Sequence, residues 1–384
     1  MKLFIVLNVD TFFLSHRKDI ALRAVESGYD VTIIAGDTGQ GDYIRSLGLK
    51  FINLPINKAG MKLTDEFKTF VFLYRLFRDE RPDIVHLVGM KLILWGGLAA
   101  RLRRVGGTVS AVSGLGVLFS PEYNKGLRKI ISKGLLTLMR YIHKPLSSYC
   151  IFHNYEDMNL FVSNNVIPKE RCIRTMGSGI DLQTYSFVEE PTDGKLKVLF
   201  TARMVEDKGV LVLIEAAKIL KDEYSNKVQF LLCGGLDTNP LAVSKERLEA
   251  LCDGDYIQWL GKRDDVHELL EKSHIFAFPS YYKEGLPKSC IEAAAVGRPI
   301  ITCDSVGCRD TVIDGVTGYL IPIKNSVALA EKLKCLIDNE SHRKSMGYKS
   351  REYAESNFSL SEVISVHMNI YDQLIKNSCD VIKY

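Results

Sequence analysis

The 384-residue sequence predicts an α/β protein built from two doubly wound, Rossmann-like domains. Apolar runs of strand length alternate with amphipathic segments of helix length, which is typical of parallel sheets covered by helices. The chain is too long for one ordinary core and suits two domains of roughly 150–200 residues. Turn residues interrupt the pattern between Gly177 and Lys195. We therefore predict a first domain over 1–185, a second over 195–360, and a helix over 361–384 that returns to the first domain.

The order of the apolar runs supports this division. In the first domain, strands are expected near 2–8, 31–36, 50–55, 84–88, 108–112, 149–153 and 172–176. In the second domain they are expected near 197–201, 228–233, 256–260, 275–279, 299–303 and 318–321. Amphipathic spacing predicts helices near 17–27, 208–221 and 361–377.

Composition narrows the functional classes. The 46% apolar and 25% charged residues indicate a globular chain, and the net charge of +4 is too small to indicate a nucleic-acid partner. Nine cysteines without a Cys-x-x-Cys pair indicate reduced thiols in a cytosolic protein rather than disulfides or a zinc site. The N-terminus becomes polar too early for a signal peptide, and no apolar run reaches the roughly 20 residues that cross a bilayer. We expect a soluble or peripherally bound protein.

Two glutamates, Glu284 and Glu292, flank the start of a predicted helix that is rich in small residues. Pro287 is a favoured first helical residue, so Glu284 is placed in the preceding loop and Glu292 in the opening turns. Ligands bind beyond the carboxyl ends of parallel strands, where a helix N-terminus favours an anion such as a diphosphate. Carboxylates beside a diphosphate suit hydrogen bonding to sugar hydroxyls.

Two cations, Arg203 and Lys208, follow the first strand of the second domain. The planar fork of Arg and the point charge of Lys can together clamp a diphosphate. Alone, the pattern also fits a solvated loop, because Lys and Arg are common on surfaces. The Glu284 stretch in the same sheet favours the clamp.

On these residues the sequence resembles the retaining glycosyltransferases of family 4, which have the glycosyltransferase-B fold of two facing Rossmann-like domains. The matching residues are Arg203 and Lys208, the Glu284/Glu292 pair, and Gly315-Val316-Thr317-Gly318. The stretches 113–116, 234–240 and 280–285 are similar to the bacterial branch that extends polyprenyl-diphosphate-linked oligosaccharides.

The resemblance implies a metal-independent, retaining hexosyl- or N-acetylhexosaminyltransferase without a cofactor. Its donor would be a UDP-sugar and its acceptor a polyprenyl-diphosphate-linked saccharide, in the assembly of bacterial surface polysaccharide, O-antigen or another glycan. The enzyme would be cytoplasmic and peripheral on the inner face of the cell membrane.

The resemblance also implies roles for residues. Arg203 and Lys208 would hold the diphosphate, Glu284 the transferred sugar, and Glu292 the ribose; the first three are the expected catalytic residues. The expected donor-binding set is Arg203, Lys208, Gly235, Arg263, Glu284, Gly285, Leu286, Ser289 and Glu292. Arg263 would contact the base, although it also fits an exposed turn.

Acceptor binding is assigned to the first domain. The candidates are His16, His86, Ser113, Gly114 and Gly116. Many family members have a Gly-Gly loop after the first strand, whereas this chain has Asn8–Arg17 there. His16 would contact a substrate or cap a helix, and His86, expected at a strand end, would bind a ligand or pack in the core.

A basic amphipathic helix is predicted from Leu127 to Ile142. Its apolar positions are 127, 130, 131, 135, 138, 139 and 142. Arg128, Lys129, Lys133 and Arg140 surround this stripe and favour an anionic membrane surface, although the same stripe would serve a helix packed on the sheet.

Other classes of protein fit less well. A nicotinamide dehydrogenase would need a Gly-x-Gly-x-x-Gly unit after a strand, and the sequence contains none. A periplasmic sugar-binding protein should carry an export signal. Asp253-Gly254-Asp255 mimics a metal-binding motif but precedes its strand, so we interpret it as a turn. A binding-only relative, or a glycosyltransferase with a non-lipid acceptor, is the alternative that stays open.

Overall fold

The computed structural model describes residues 1–56, 63–115, 127–238 and 240–381, excluding the side chains of 63, 127–129 and 377–381. The chain divides into two compact units, Met1–Ser178 with the segment from Ser361, and Gly179–Leu360. The division falls near the start of the turn-rich stretch, seven residues ahead of the predicted end of the first domain at 185. The reason is that Gly179–Lys195 packs with the second unit, as its Ile180–Ser359 bridge and Arg298–Val188 hydrogen bond illustrate.

The first unit contains a seven-stranded parallel sheet. Its strands are β1 (Lys2–Val9), β2 (Asp30–Gly36), β3 (Lys50–Asn53), β4 (Ile84–Val88), β5 (Gly107–Val112), β6 (Ser148–Phe152) and β7 (Cys172–Arg174). Its helices are α1 (Asp10–His16), α2 (Lys18–Glu26), α3 (Gly41–Ser46), α4 (Leu63–Glu80), α5 (Met90–Arg103), α6 (Leu127–His143) and α7 (Tyr155–Ser163). The strand order is β3-β2-β1-β4-β5-β6-β7, so the chain starts in the middle of the sheet and winds outward in both directions.

The second unit repeats this plan with six parallel strands. Its strands are β8 (Leu196–Thr201), β9 (Val228–Cys233), β10 (Ile257–Gly261), β11 (Ile275–Phe278), β12 (Ile300–Cys303) and β13 (Gly318–Ile321). Its helices are α8 (Val210–Tyr224), α9 (Lys245–Leu251), α10 (Val266–Glu271), α11 (Lys288–Val296), α12 (Ser326–Asp338) and α13 (Glu340–Asn357). The order β10-β9-β8-β11-β12-β13 is the doubly wound order of dinucleotide-binding folds.

The last helix, α14 (Leu360–Val381), packs on the first unit. Its Val363, Ile370, Tyr371 and Leu374 lie in one buried cluster with β-strand residues of that unit, such as Ile5. A second cluster fills the opposite face of the same sheet, beneath α4–α7. The sheet is therefore buried on both faces, which explains why its strands have nearly continuous apolar sequences.

Two local elements differ from the sequence prediction. Helix α1, which was not predicted, starts directly after β1; His16 is its last residue and precedes the start of α2 at Lys18. Lys208 lies in a 3₁₀ turn, Glu206–Lys208, and α8 begins only at Val210 because left-handed Gly209 separates the turn from the helix. Within the described residues, no helix has the length and apolarity needed to span a bilayer.

Candidate active site

Four of the predicted site residues gather at one edge of the second sheet. Strands β8 and β11 are parallel neighbours, so their carboxyl ends lie side by side. Arg203 and Lys208 follow β8, whereas Glu284 and Glu292 follow β11. This is the edge at which open α/β sheets bind ligands.

Lys208 and Glu284 form an ion pair at this edge. The Lys208 Nζ lies 2.5 Å from Glu284 Oε1, and the two side chains are only 14% and 12% exposed. The Lys208 ammonium also lies 4.9 Å from the ring centroid of Tyr282, within the range of a cation–π contact. A cationic and an anionic side chain thus lie in direct contact, and both are largely buried.

Backbone contacts hold the two loops of this pair together. The Asp207 carbonyl accepts hydrogen bonds from the amides of Tyr281 and Tyr282, each at 3.0 Å. The Ser280 hydroxyl lies 3.2 Å from that carbonyl and 3.1 Å from Glu284 Oε1. Burial raises the pKa of the Asp207 carboxyl, and the neighbouring Lys208 opposes that rise.

Two glycines permit this close approach. Gly209 has a φ of +85°, and a Cβ there would lie 2.1 Å from the Pro279 carbonyl oxygen. Gly307, with a φ of +80°, would place a Cβ 2.5 Å from the Glu284 carbonyl oxygen. Sequence reasoning did not identify Ser280 or Gly307 as site residues; the only signal for Gly307 is its position in the turn after β12.

Glu292 lies within α11 and is buried, with 9% exposure. Its Oε1 accepts a hydrogen bond from the Tyr185 hydroxyl at 3.1 Å and lies 3.7 Å from Lys288 Nζ. Burial raises the pKa of Glu292, while Lys288 and Tyr185 oppose the rise. Pro287 is the N-cap rather than the first helical residue, because its ψ of 117° is extended; the placement of Glu292 early in the helix is unaffected.

Arg203 is not part of the Lys208–Glu284 pair. Its side chain is 61% exposed and pairs with Asp237 in the loop after β9. The same loop contains Gly234, where a Cβ would lie 1.7 Å from the Ala202 carbonyl oxygen, and Gly235, whose carbonyl accepts from the Met204 amide at 3.0 Å. The loops after β8 and β9 are therefore in contact, with Arg203 at their surface.

The remaining donor-side candidates surround this centre. Gly285 and Leu286 are buried between Glu284 and the start of α11, and half-buried Ser289 lies in the first turn of that helix. Arg263 follows β10, is 44% exposed and pairs with Asp265 at 2.5 Å. Arg263 is thus an exposed turn residue, as the alternative interpretation predicted, and it lies at the edge where the contact with the nucleotide base is predicted.

The acceptor-side candidates have different environments. His16 is half-buried and stacks on Phe12 with ring centroids 4.1 Å apart. Ser113 and Gly114 follow β5 at the carboxyl edge of the first sheet. Gly116 lies outside the described residues.

The prediction that His86 ends a strand is wrong. His86 is the third residue of β4, is completely buried, and bonds through Nδ1 to the Tyr371 hydroxyl of α14 at 2.6 Å. Burial lowers its pKa well below the ordinary value. The helix that returns from the end of the chain covers this position, which a strand-by-strand analysis of sequence does not reveal.

The predicted apolar stripe of α6 is divided between core and surface. Met139 and Ile142 are buried, whereas Ile130 and Ile131 are 68% and 47% exposed. Lys133 is exposed, and exposed Arg140 donates from Nε to the Asn164 carbonyl at 2.8 Å. The side chains of Arg128 and Lys129 lie outside the described residues. The second half of the helix therefore serves the core, as the alternative interpretation of the stripe predicted.

The Asp253 turn has the predicted structural role. Asp253 Oδ1 accepts from the amides of Asp255, Tyr256 and Ile257, and Oδ2 pairs with Lys221 Nζ at 2.7 Å. Although burial opposes it, these bonds lower the pKa of Asp253 to about 2. The turn lies before β10 and thus at the sheet edge opposite the site.

Comparison with known proteins identifies the family of this chain. Residues 182–353 match the family described as Glycosyl transferases group 1, and residues 2–143 match Glycosyl transferase 4-like. The chain belongs to the family 4 glycosyltransferases. One relative is the N,N'-diacetylbacillosaminyl-diphospho-undecaprenol alpha-1,3-N-acetylgalactosaminyltransferase of Campylobacter jejuni, 28% identical over 91% of this chain and 92% of that protein. Another is the UDP-Gal:alpha-D-GlcNAc-diphosphoundecaprenol alpha-1,3-galactosyltransferase of Escherichia coli, 26% identical over 81% of each chain.

Solved structures confirm the predicted glycosyltransferase-B fold class. A glycosyltransferase from Rickettsia africae superposes with a TM-score of 0.76 at 18% identity, covering 98% of this chain and 99% of that one. HepE from Anabaena, solved in complex with UDP and glucose, superposes with a TM-score of 0.75 at 15% identity, covering 97% and 99%. This glycosyltransferase therefore has the fold of its family.

Proposed function

We propose that this glycosyltransferase moves a hexose or N-acetylhexosamine from a UDP-sugar to a polyprenyl-diphosphate-linked saccharide, with retention and without a metal ion. The observation that carries the proposal is the contact between Lys208 and Glu284 beside the N-terminus of α11. One cation and one carboxylate at a helix N-terminus fit a substrate that combines a diphosphate with a sugar.

In the proposed mechanism, Lys208 and the first amides of α11 stabilise the charge that grows on the departing diphosphate. Arg203, which is exposed at the same edge, adds a second cation. Glu284 orients the transferred sugar and favours its developing positive charge, while Glu292 accepts hydrogen bonds from the ribose. The acceptor hydroxyl attacks from the leaving-group side and passes its proton to the departing phosphate oxygen, so no side chain is required as a base.

The acceptor is assigned from the names of the relatives. The two relatives named above carry undecaprenol diphosphate sugars in their names, and they match most of this chain. We extend this chemistry to the present protein, in bacterial surface-polysaccharide or glycan assembly on the cytoplasmic face of the membrane.

A panel of nucleotide sugars tests the donor assignment. The purified enzyme is incubated with each sugar in the absence of an acceptor, and released UDP is measured. Slow hydrolysis of one UDP-sugar, lost in Lys208→Ala, supports the proposal. No release from any donor, with or without a prenyl-diphosphate-linked saccharide, favours a binding-only relative. Transfer to a soluble saccharide but not to the lipid-linked one favours a non-lipid acceptor.

We further propose that the first half of α6 contacts anionic lipid. Exposed Ile130 and Ile131 would insert between headgroups, and Arg128, Lys129, Lys133 and Arg140 would add up to about 1 kcal/mol each near an anionic surface. Changing the four basic residues to Ser should reduce co-sedimentation with phosphatidylglycerol vesicles, most clearly at low salt, and leave donor hydrolysis nearly unchanged.

A matched control separates this effect from total charge. Lys245, Lys272, Lys332 and Lys349 all belong to the second unit, and replacing them with Ser removes the same charge. Equal vesicle binding by the α6 variant and wild type would show that the membrane assignment of this helix is wrong.

A further inference from the structure

Arg17 is a buried cation for which the described residues provide no carboxylate partner. It is 1% exposed, and Nη1 donates to the His16 carbonyl at 2.9 Å. Its Nε and Nη2 are buried without a hydrogen-bond partner among the described residues. Burial lowers the pKa of Arg17 only to about 10, so the guanidinium stays charged at neutral pH.

The other deeply buried arginines differ in this respect. Arg343 forms two hydrogen bonds with the carboxylate of Glu190, at 2.9 and 2.7 Å. Arg298 donates to the carbonyls of Leu270, Val188 and Glu271 at 2.8–3.1 Å. A buried charge without such partners costs several kcal/mol, so Arg17 is the exception that requires an explanation.

Three histidines share the environment of Arg17. His86, His153 and His367 are each at most 5% exposed, and each has an Nε2 without a partner in the described part of the chain. The rings of His86 and His367 lie 5.4 Å apart. Burial and the charge of Arg17 both lower the pKa of all three, which places the guanidinium within electrostatic reach of each ring.

The cluster lies toward the carboxyl edge of the first sheet. Arg17 joins α1 to α2 after β1, and His153 directly follows β6. Side chains two residues apart on a strand share a face, so His153 continues the face of Ile151, which packs in the same buried cluster as α14. The two residues that precede Arg17 in the chain, Ser15 and His16, are exposed and half-buried, so the segment that contains Arg17 reaches the surface.

We propose that Arg17, with His153 and His367 beside it, binds a diphosphate group, namely that of the lipid-linked acceptor. The unpartnered Nε and Nη2 of the guanidinium can donate to the oxygens of a phosphoryl group, which would also provide the missing negative charge. The proposal rests on the proposed function, because that function supplies a diphosphate to the first unit.

Calorimetric titration of the full-length protein tests the site. The donor site is first saturated with UDP, and the protein is then titrated with inorganic pyrophosphate or with geranyl diphosphate. Both should bind wild type, and Arg17→Gln should weaken both by roughly 10- to 100-fold, the loss expected when a charged hydrogen-bonding group is removed. The control is Arg23→Gln, which removes the same charge from an exposed site on α2 and should bind as wild type does.

Each outcome bears on the proposal. Unchanged binding by folded Arg17→Gln overturns it, and binding of pyrophosphate without geranyl diphosphate overturns the assignment to the lipid acceptor. If Arg17→Gln does not fold, His153→Ala is tested instead, and its affinity for both ligands should fall by roughly 2- to 10-fold. Unchanged binding by His153→Ala overturns the proposed site. UDP release from the donor, measured in parallel on wild type, tests the proposed function separately.

Discussion

Removing the charge of Lys208 should reduce both activity and stability, and a double variant separates the two effects. Lys208→Met keeps most of the side-chain volume but removes the ammonium that pairs with the Glu284 carboxylate, which is 12% exposed. Breaking a buried pair in this way costs about 3–5 kcal/mol. Because both partners retain some exposure, we expect about 3 kcal/mol, the lower end of that range.

The double variant Lys208→Met with Glu284→Gln removes both charges. Both members of the ion pair are then neutral, so the loss of stability should shrink to about 1 kcal/mol. Turnover should not recover, because the cation that stabilises the departing diphosphate is still missing. We expect donor turnover to fall by roughly 10²–10³ in both variants.

The two tryptophans allow the stability of each unit to be measured. Trp95 lies in the first unit and Trp259 in the second. In a Trp95→Phe background, fluorescence during urea unfolding reports the unit that contains the ion pair, and UDP release reports activity. Wild-type turnover in folded Lys208→Met would refute the role of Lys208 in holding the diphosphate. A double variant less stable than Lys208→Met would show that the loss of stability does not come from breaking the ion pair.

Three further predictions concern the same site. Activity should survive EDTA, because side chains and helix amides hold the leaving group; loss of activity that Mg²⁺ or Mn²⁺ restores would contradict this. Burial raises the pKa of Glu292, so UDP affinity should fall as pH drops through a range above the usual glutamate pKa, and Glu292→Gln should bind UDP weakly with little pH dependence. The folded protein holds the Glu292 proton more tightly than the unfolded chain does, so the free energy of unfolding should fall as pH rises through that range. Urea unfolding of Glu292→Gln should not show this pH dependence. Gly307→Ala would place a Cβ 2.5 Å from the Glu284 carbonyl oxygen and should lower turnover by about 10²-fold. The control is Gly315→Ala, which has nothing within 4 Å of its Cβ and should have a turnover near that of wild type. Equal turnover in the two variants would show that the Glu284 loop tolerates displacement.

The sequence by itself determined the sheets and the sheet edge at which the candidate site lies. Strand β4 was predicted with its observed bounds, and β9 likewise, because buried parallel strands have continuous apolar sequences that are easily recognised. The placement of Lys208 and Glu284 at one edge followed from the predicted parallel sheet, whereas the structure showed that β8 and β11 are neighbours.

Only the tertiary structure decided contacts between residues distant in sequence. Tyr371 is 285 residues from His86, and their hydrogen bond turns an expected strand-end histidine into a core residue. Gly307 supports the Glu284 loop, and Tyr185 bonds Glu292 across 107 residues. The half-buried stripe of α6 and the isolated charge of Arg17 also depend on what packs against them. Periodicity records which face of an element is apolar, but only packing determines which neighbour meets that face and which polar atoms find a partner.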